Sequence, residues 1–298
     1  FHPMSTLEDL PGNPHDKPSL KKLLHNTPHA LLFEGPKGVG KSVFAQAFAK
    51  QLLKSEKKHH PDFRELFPEG KGHLHPMHSL REFIKETEMP PFEGECKVFL
   101  IHEAERMLPT SMNALLKTLE EPVSRCVIIL ITSHSEALLP TITSRCFRVP
   151  FSLLTEEELM TYLKTEKTEE EARRIAFLSQ GSLEKALKLS AQEDTLSLHM
   201  FDFGVRLLYK ENPSFKDYGE IEDPEEALSY LFYFYRDLHL LKEGGDPSYL
   251  FYQDKKEELQ ACLSCPLPSL EEIQEKMSKI VQAEALHIPL SHSFPLLF

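Results

Sequence analysis

The stretch Ala30-Leu-Leu-Phe-Glu-Gly-Pro-Lys-Gly-Val-Gly-Lys-Ser42 contains the strongest local signal in this 298-residue sequence. Its first part, Ala30–Glu34, is a short apolar run that is typical of a buried β-strand. The residues that follow match the pattern G-x-x-x-x-G-K-[S/T] in full, and Ser42–Leu53 continues as an amphipathic helix. A strand, a glycine-rich loop and a helix in this order are typical of a phosphate-binding loop.

Two further apolar runs extend this pattern into an α/β domain. Lys97–Ile101 and Cys126–Thr132 predict buried strands, and Ser111–Leu119 predicts a helix between them. Strands that alternate with helices pair in parallel through right-handed crossovers. Their carboxyl ends then meet at one edge of the sheet, where ligands bind in such folds.

Apolar runs typical of β-strands end near residue 151, and the rest of the chain is predicted to be helical. Residues with capping side chains mark the starts of these helices, several of them with Glu three positions later; they are Thr155, Thr168, Ser182, Asp223 and Ser269. A Gly/Asp/Pro-rich loop over 244–248 separates the last two helices. We therefore predict three domains, residues 1–152, 153–195 and 196–298.

The composition is that of an ordinary globular protein with an acidic balance. The chain has 34 Lys plus Arg against 46 Asp plus Glu, a formal net charge of −12. Proteins whose main task is to bind the phosphate backbone of DNA usually carry an excess of basic residues, so the charge argues against that task. No apolar run is long enough to span a bilayer, and the 5 cysteines do not suggest a disulfide framework. We expect a protein of the reducing cytoplasm.

The loop predicts binding of ATP or ADP with Mg²⁺. Lys41 would neutralise the β- and γ-phosphates, and the Ser42 hydroxyl would ligate the metal. Hydrolysis also needs a carboxylate at the end of a neighbouring strand. The strand Lys97–Ile101 is followed by His102, and an imidazole is a poor ligand for Mg²⁺. Glu103 is our candidate catalytic carboxylate, but both Glu103 and Glu105 lie further along the chain than the position where hydrolysis needs a carboxylate. The sequence therefore predicts nucleotide binding with impaired hydrolysis.

Three stretches of the sequence resemble the AAA+ ATPases of bacterial clamp loaders. They are His29–Ser42, Asn113-Ala-Leu-Leu-Lys-Thr-Leu-Glu-Glu-Pro122 and Leu139-Pro-Thr-Ile-Thr-Ser-Arg-Cys146. The resemblance covers residues 28–190, and Tyr235–Gly244 is similar to the collar domain of the delta-prime type of subunit. It implies an α/β P-loop AAA+ domain, a small helical lid domain and an all-α C-terminal collar domain.

The resemblance also assigns roles to individual residues. The nucleotide would be bound by the whole loop, namely Gly35, Pro36, Lys37, Gly38, Val39, Gly40, Lys41 and Ser42. Thr132 or Ser133 would lie near the first sensor position. Arg145, within Ser144-Arg145-Cys146, would act in trans on the γ-phosphate held by a neighbouring subunit, where its guanidinium offsets the charge of the transition state. Ser144, next to it in the same motif, is a further candidate catalytic residue.

Three departures distinguish this chain from the hydrolytic gamma/tau type of subunit. His102 stands where that type has Asp, and Glu184 stands where it has the arginine of the second sensor. The segment 54–62, KSEKKHHPD, lacks the cysteines of the family's zinc module. These departures favour the delta-prime type, with little or no ATPase of its own and no zinc site.

The implied partners are gamma/tau and delta subunits in a hetero-pentamer that loads the sliding clamp onto primed DNA; no membrane partner is implied. Two alternatives remain open. One is a hydrolytic gamma/tau-type ATPase, and the other is a free-standing P-loop NTPase or small-molecule kinase. A pure scaffold with an empty loop is a further interpretation, which nucleotide binding would test.

Three other patterns are not interpreted as functional sites: a histidine-rich segment that we expect to be a solvated loop, a cysteine pair that we take as incidental, and an aromatic run. The histidines His59, His60, His73, His75 and His78 match no structural zinc spacing. Cys262-x-x-Cys265 has no second cysteine pair and no redox context. The aromatic run Tyr230–Tyr235 lies on a predicted helix with several leucines, which favours packing in a core or subunit interface over stacking on bases.

Overall fold

The computed structural model describes residues 7, 10–11, 17–55, 57, 59–70, 72–122, 124–191, 195–211, 213 and 224–285. The chain forms two compact units, residues 1–187 and 188–298. The predicted division into three domains, with boundaries after residues 152 and 195, stays a prediction. Within the described residues, no helix combines the length and apolar composition that crossing a membrane requires.

The first unit is built on a parallel five-stranded sheet with strand order β2-β3-β4-β1-β5. The strands are β1 (Ala30–Glu34), β2 (Phe63–Leu66), β3 (Lys97–Ile101), β4 (Cys126–Thr132) and β5 (Phe147–Pro150). The three central strands have the predicted bounds, and every residue of β3 and β4 is buried. The edge strand β2 was not predicted, because it is short and buries only Leu66.

Five helices accompany the sheet, and their apolar side chains complete its core. They are α1 (Lys17–His25), α2 (Lys41–Leu53), α3 (Met77–Thr87), α4 (Pro109–Glu120) and α5 (Pro140–Thr143). Phe83 of α3 meets Phe99 of β3 edge to face, with ring centroids 4.8 Å apart. Leu115 of α4 belongs to the same buried cluster. The predicted helices over 42–53 and 111–119 are thus confirmed, each beginning one or two residues earlier.

Two helices with predicted capping boxes follow the sheet, α6 (Glu156–Leu163) and α7 (Glu169–Ser179), and α8 (Leu183–Ala191) comes next. At Thr155 the hydroxyl accepts the amide N–H of Glu158 at 3.2 Å, and the Glu158 carboxylate accepts the amide N–H of Thr155 at 2.8 Å. The equivalent pair at Thr168 is also formed. Such reciprocal bonds satisfy amide groups that the first helical turn leaves without partners.

The second unit contains α9 (Thr195–Leu208), α10 (Pro224–Lys242), α11 (Lys256–Cys262) and α12 (Leu270–Ala285). In it, α10 packs against the other three helices. At Gly204 of α9 an added Cβ would lie 2.5 Å from the Phe234 ring, so a side chain at this position would clash with α10. Most of the run Tyr230–Tyr235 is buried, which confirms its interpretation as core. Asp223, predicted to cap α10, lies outside the described residues.

The second unit also contains a buried carboxylate that bonds to separate parts of the chain. Asp237 of α10 is 0% exposed and accepts the amide N–H of Tyr252 at 2.8 Å and the Arg236 guanidinium at 2.7 Å. Burial raises the pKa of Asp237 in spite of these bonds. A charged or polar group in a core is tolerated when its oxygens are bonded in this way.

The segment that lacks the zinc cysteines is held by another buried carboxylate. Asp62 is 1% exposed, and its oxygens accept amide N–H groups from Phe92 at 2.6 Å, Glu93 at 2.8 Å and Gly94 at 2.8 Å. Burial acts to raise the pKa of Asp62, but these three bonds outweigh it, so the pKa lies below its ordinary value of 3.8. Asp62 thus joins the start of β2 to the loop before β3.

We expect Asp62→Ala to destabilise the first unit by about 2–4 kcal/mol, because three amide donors lose their acceptor. Urea unfolding followed by far-UV circular dichroism measures the loss, and amide exchange over residues 92–94 should accelerate with it. Asp62→Asn is the matched control, since it retains one acceptor oxygen and should lose less.

The same residue predicts an acid dependence. Because the folded-state pKa of Asp62 is depressed, its contribution is present above the ordinary value of 3.8 and is lost as the pH falls through the lower folded-state value. Asp62→Asn should lack this component. A wild-type and a variant protein with parallel stability profiles below about pH 4 would contradict the assignment.

Candidate nucleotide-binding site

The glycine-rich loop joins β1 to α2, and its backbone adopts conformations that require glycine. Gly35 and Gly38 have φ values of +146° and +80°. A Cβ added at Gly35 would lie 2.1 Å from the carbonyl oxygen of Phe151, and one at Gly38 would lie 2.3 Å from the hydroxyl oxygen of Ser182. Glycine is therefore required at both positions, because a side chain at either one would clash with a neighbouring segment of the chain.

The side chain of Lys41 bonds to the backbone of the loop and to Ser133, the residue that follows β4. Its ammonium donates to the carbonyl oxygens of Gly35 and Pro36, each at 2.6 Å, and to the hydroxyl of Ser133 at 3.1 Å. The residue is 6% exposed, and burial lowers the pKa of Lys41 to about 8. In this arrangement the ammonium bonds to the neighbouring loop itself, and an incoming phosphate has to compete with those carbonyl oxygens.

The remaining loop residues differ in their exposure to solvent. Val39 is buried at 1% exposure, whereas Pro36 and Lys37 are exposed. Gly40 has a φ of +96°, and its Cβ would approach Leu183 to 3.2 Å. The eight predicted residues are therefore contiguous in the structure: Gly35–Gly40 form the turn, and Lys41 and Ser42 are the first two residues of α2.

The beginning of α8 contacts this loop. The amide N–H of Glu184 donates to the carbonyl oxygen of Gly38 at 3.0 Å, and the Ser182 hydroxyl donates to the same oxygen at 3.4 Å. Ser182 also accepts the amide N–H of Lys185 at 3.3 Å, which confirms it as an N-cap. The Glu184 carboxylate interacts favourably with the Lys41 ammonium. Its charge would repel a phosphate bound next to it.

A second carboxylate, Glu105, faces Lys41 from the far side of β4. Its Oε1 accepts the amide N–H of Ser133 at 3.1 Å, and its charge opposes the effect of burial on the pKa of Lys41. Of the two predicted sensor positions, Ser133 is the one that contacts Lys41. Thr132 is 1% exposed, and its hydroxyl accepts the amide N–H of His134 at 3.1 Å.

His102 lies beside Ser42, at the position where a phosphate-binding loop usually has an aspartate partner. The Ser42 hydroxyl donates to His102 Nδ1 at 3.3 Å, and His102 Nε2 donates to Glu65 Oε1 at 2.9 Å. Glu65 also accepts from Gln46 Nε2 at 2.9 Å. Burial acts to raise the pKa of Glu65, but the two donors outweigh it and the pKa is lowered. The ring of Phe67 stacks on the imidazole at 4.1 Å.

These neighbours do not fit the Mg²⁺ that the loop pattern predicts. Mg²⁺ is a hard cation that favours carboxylate, phosphate and water oxygens in octahedral geometry. Here the hydroxyl of Ser42 faces an imidazole nitrogen, which suits softer transition metals better. Within the part of the chain that the structure describes, no group of three or more His, Cys, Asp or Glu side chains could hold a metal ion.

The side chain of Glu103, the candidate catalytic carboxylate, contacts residues outside the glycine-rich loop. Its oxygens lie 3.4 Å from His73 Nε2 and 3.7 Å from Arg106 Nε, and its side chain is about half exposed. Glu103 also has a left-handed backbone, with φ of +46°. Of Glu103 and Glu105, it is Glu105 whose carboxylate interacts with Lys41, so the structure favours Glu105 over Glu103 as a neighbour of the loop.

Arg145 lies between α5 and β5, on the surface. Its guanidinium forms an ion pair with Glu120 and donates to the carbonyl oxygen of Thr141 at 2.8 Å and to the Ser144 hydroxyl at 3.4 Å. The side chain is 34% exposed. Ser144, the other predicted catalytic residue of this motif, donates its hydroxyl proton to Thr141 at 3.3 Å.

The histidine-rich segment has separate local roles. His60 Nδ1 accepts the amide N–H of Asp62 at 3.1 Å. His75 is 1% exposed, and its Nε2 donates to the carbonyl oxygens of His102 at 2.8 Å and Glu103 at 3.2 Å. His75 therefore fixes the backbone of the residue that contacts Ser42.

Sequence reasoning did not assign four residues that the structure places in these contacts: Glu65, Phe67, Glu105 as the partner of Ser133, and Glu120. Glu65 and Phe67 lie on or next to the unpredicted strand β2. Glu120 lies within Asn113–Pro122, the stretch that carries the family resemblance, which was a usable signal.

Several known proteins are similar to this chain in sequence. A family model described as DNA polymerase III, delta subunit, matches residues 16–155. The delta' subunit of Bacillus subtilis is 26% identical over 271 residues, which cover 80% of this chain and 81% of that protein. The delta' subunit of Pseudomonas aeruginosa is 33% identical over 185 residues, 55% of this chain and 56% of that protein.

Gamma and tau subunits are also similar. The gamma subunit of Buchnera aphidicola is 31% identical over 185 residues, 54% of this chain and 50% of that protein. The chain thus spans about half the length of this relative and of the Pseudomonas aeruginosa protein.

Among solved structures, the K64R mutant of RuvB from Thermotoga maritima has a TM-score of 0.54 at 17% identity and covers 94% of this chain and 90% of that one. This likeness concerns the fold alone, a parallel AAA+ sheet followed by helices. The motifs, the sheet and the sequence relatives together lead to one conclusion: the chain is similar to the clamp-loader subunits of DNA polymerase III, among them delta', gamma and tau subunits.

Proposed function

We propose that this chain is a delta-prime-type subunit of a bacterial DNA polymerase III clamp loader. In this role it assembles with gamma/tau and delta subunits in a hetero-pentamer in the cytoplasm. The complex places the sliding clamp on primed DNA at the expense of ATP, and this subunit has little or no turnover of its own. The observation that carries the proposal is the imidazole of His102 against Ser42, 3.3 Å away, where a hydrolytic subunit needs an acidic partner.

The loop nevertheless retains what nucleotide binding requires. Its glycines have the positive φ values of a phosphate cradle, and Lys41 reaches the carbonyl oxygens that line it. Amide groups at the start of α2 and the ammonium of Lys41 would offset phosphate charge. We therefore include ATP or ADP binding in the proposed function.

The chemical contribution to the complex is assigned to Arg145. Its guanidinium lies at the surface, 34% exposed, and carries several donors in a fixed planar arrangement. In the isolated chain these donors bond to Glu120 and to the carbonyl oxygen of Thr141. An exposed ion pair of this kind contributes about 1 kcal/mol or less, so a neighbouring subunit's γ-phosphate can replace Glu120 at little cost.

A hydrolytic gamma/tau-type subunit is the second candidate. The complete loop pattern favours it, as does the similarity to gamma and tau proteins. His102 and Glu184 argue against it. The imidazole of His102 cannot take the place of a metal-binding aspartate. The carboxylate of Glu184 cannot take the place of a phosphate-binding arginine, because its charge has the opposite sign.

Replacing Lys41 tests the loop. We expect Lys41→Ala to weaken ADP and ATP binding by about tenfold or more, because a buried cation that meets the phosphates is lost. Isothermal titration calorimetry on the isolated chain measures the change. Lys54→Ala, which removes an exposed lysine just after the same helix, is the control and should bind as the wild type does. Equal affinities in all three proteins would show an empty loop.

Replacing Arg145 tests the action in trans. In a loader reconstituted from subunits of one organism, Arg145→Ala should slow hydrolysis at the neighbouring site by about a thousandfold and reduce clamp loading, since an arginine in trans stabilises transition-state charge. Single-turnover ATP hydrolysis measures the effect, and gel filtration checks assembly. Arg148→Ala removes an exposed arginine three positions away that pairs with Glu34, and should leave turnover intact. Unchanged hydrolysis in an assembled Arg145→Ala loader would contradict the role.

Steady-state ATPase of the isolated chain separates the two candidate subunit types. We expect hydrolysis at background level, because no described carboxylate contacts Ser42 in place of the usual aspartate. A gamma/tau-type subunit of the same organism, measured alongside, is the positive control. Turnover comparable with that control would favour the hydrolytic type.

A further inference from the structure

The Ser42 hydroxyl has an unusual partner for a phosphate-binding loop. In loops that use Mg²⁺, this hydroxyl ligates the metal, and a carboxylate from the neighbouring strand adds negative charge to the same place. In this chain β3 is followed directly by His102, whose Nδ1 lies 3.3 Å from the hydroxyl oxygen of Ser42. An imidazole carries no negative charge in either protonation state at neutral pH, so it cannot supply the attraction that a carboxylate gives to a divalent cation.

The orientation of this imidazole is determined by its surroundings. Glu65 accepts from Nε2 at 2.9 Å, and Phe67 stacks on the ring with only 9° between the planes. His75 Nε2 donates to the carbonyl oxygen of His102 at 2.8 Å. With Nε2 directed to the carboxylate, Nδ1 faces Ser42. His102 is 6% exposed, so water has little access to replace these partners.

The carboxylates around the loop are engaged in other contacts. Glu65 lies on the far side of the imidazole from Ser42 and accepts from both His102 and Gln46. Glu105 accepts from the amide of Ser133 and interacts with the ammonium of Lys41, a cation that repels a divalent ion nearby. The positive charge available to a nucleotide at this site therefore includes that of Lys41 and of the amide groups at the start of α2, and the carboxylate of Glu184 opposes it.

We propose that the phosphate-binding loop takes nucleoside di- or triphosphate without help from Mg²⁺, because His102, held by Glu65, occupies the place of the metal's acidic partner. This inference rests on the nucleotide binding included in the proposed function. The ligand is the free nucleotide anion, bound through Lys41 and backbone amides. Mg²⁺ competes for the same phosphate oxygens, so it leaves the affinity unchanged or weakens it.

The test compares ADP and ATP binding to the full chain by isothermal titration calorimetry, in EDTA and in excess Mg²⁺. For the wild type we expect the dissociation constant in EDTA to equal that in Mg²⁺ or to be lower. The matched variant is His102→Asp with Glu65→Gln, which introduces a carboxylate beside Ser42 and avoids two adjacent negative charges. We expect Mg²⁺ to tighten binding to this variant by about tenfold or more. His102→Asn is the neutral control: it adds no carboxylate, so Mg²⁺ should not tighten nucleotide binding to it.

Two results would overturn the proposal. One is a wild-type affinity that Mg²⁺ improves by about tenfold, and the other is a folded double variant that responds to Mg²⁺ no more than the wild type. Thermal melting establishes that each variant is folded, and the wild-type comparison remains decisive if the double variant does not fold. Absence of nucleotide binding in both conditions also overturns it. The clamp-loader role is tested separately, by Arg145→Ala in the assembled complex.

Discussion

Parallel pairing of β1 with β4 is the interaction on which the first unit depends. The register runs from Ala30 opposite Ile128 to Glu34 opposite Thr132, so both strands end side by side. The glycine-rich loop begins directly after one strand, and Ser133 follows the other. Lys41 can therefore bond to both the loop and Ser133. Because β3 pairs with the other side of β4, His102 reaches the same edge of the sheet.

The charges at this edge suit binding better than hydrolysis. The ammonium of Lys41 is buried, bonded to its own loop and flanked by the carboxylates of Glu105 and Glu184. In the proposed function, a nucleotide phosphate replaces the carbonyl oxygens that Lys41 contacts. No described contact, however, brings a carboxylate to Ser42, where hydrolysis needs one. Arg145 lies on another part of the surface, in contact with Glu120, which suits action on a neighbouring molecule.

Secondary structure and packing were predicted where the signal is local. The bounds of β1, β3 and β4 were predicted correctly because each is a fully or almost fully buried apolar run. Thr155 and Thr168 were recognised as caps because the bonds of a capping box span only three residues. The edge strand β2 gave no such signal, since its exposed face carries charged residues and its pairing is with a distant strand.

The sequence by itself therefore determined the strand, loop and helix around Lys41, the family resemblance and the substitution of His102 for an acidic residue. Only the tertiary structure decided which side chains meet. The bonds from His102 to Glu65 and from Lys41 to Ser133 join residues 37 and 92 positions apart. Local patterns extend over a few residues, whereas these partners are brought together by strand order and crossover connections. That is why Glu105 rather than Glu103 neighbours the loop, and why Glu65 holds the imidazole against Ser42.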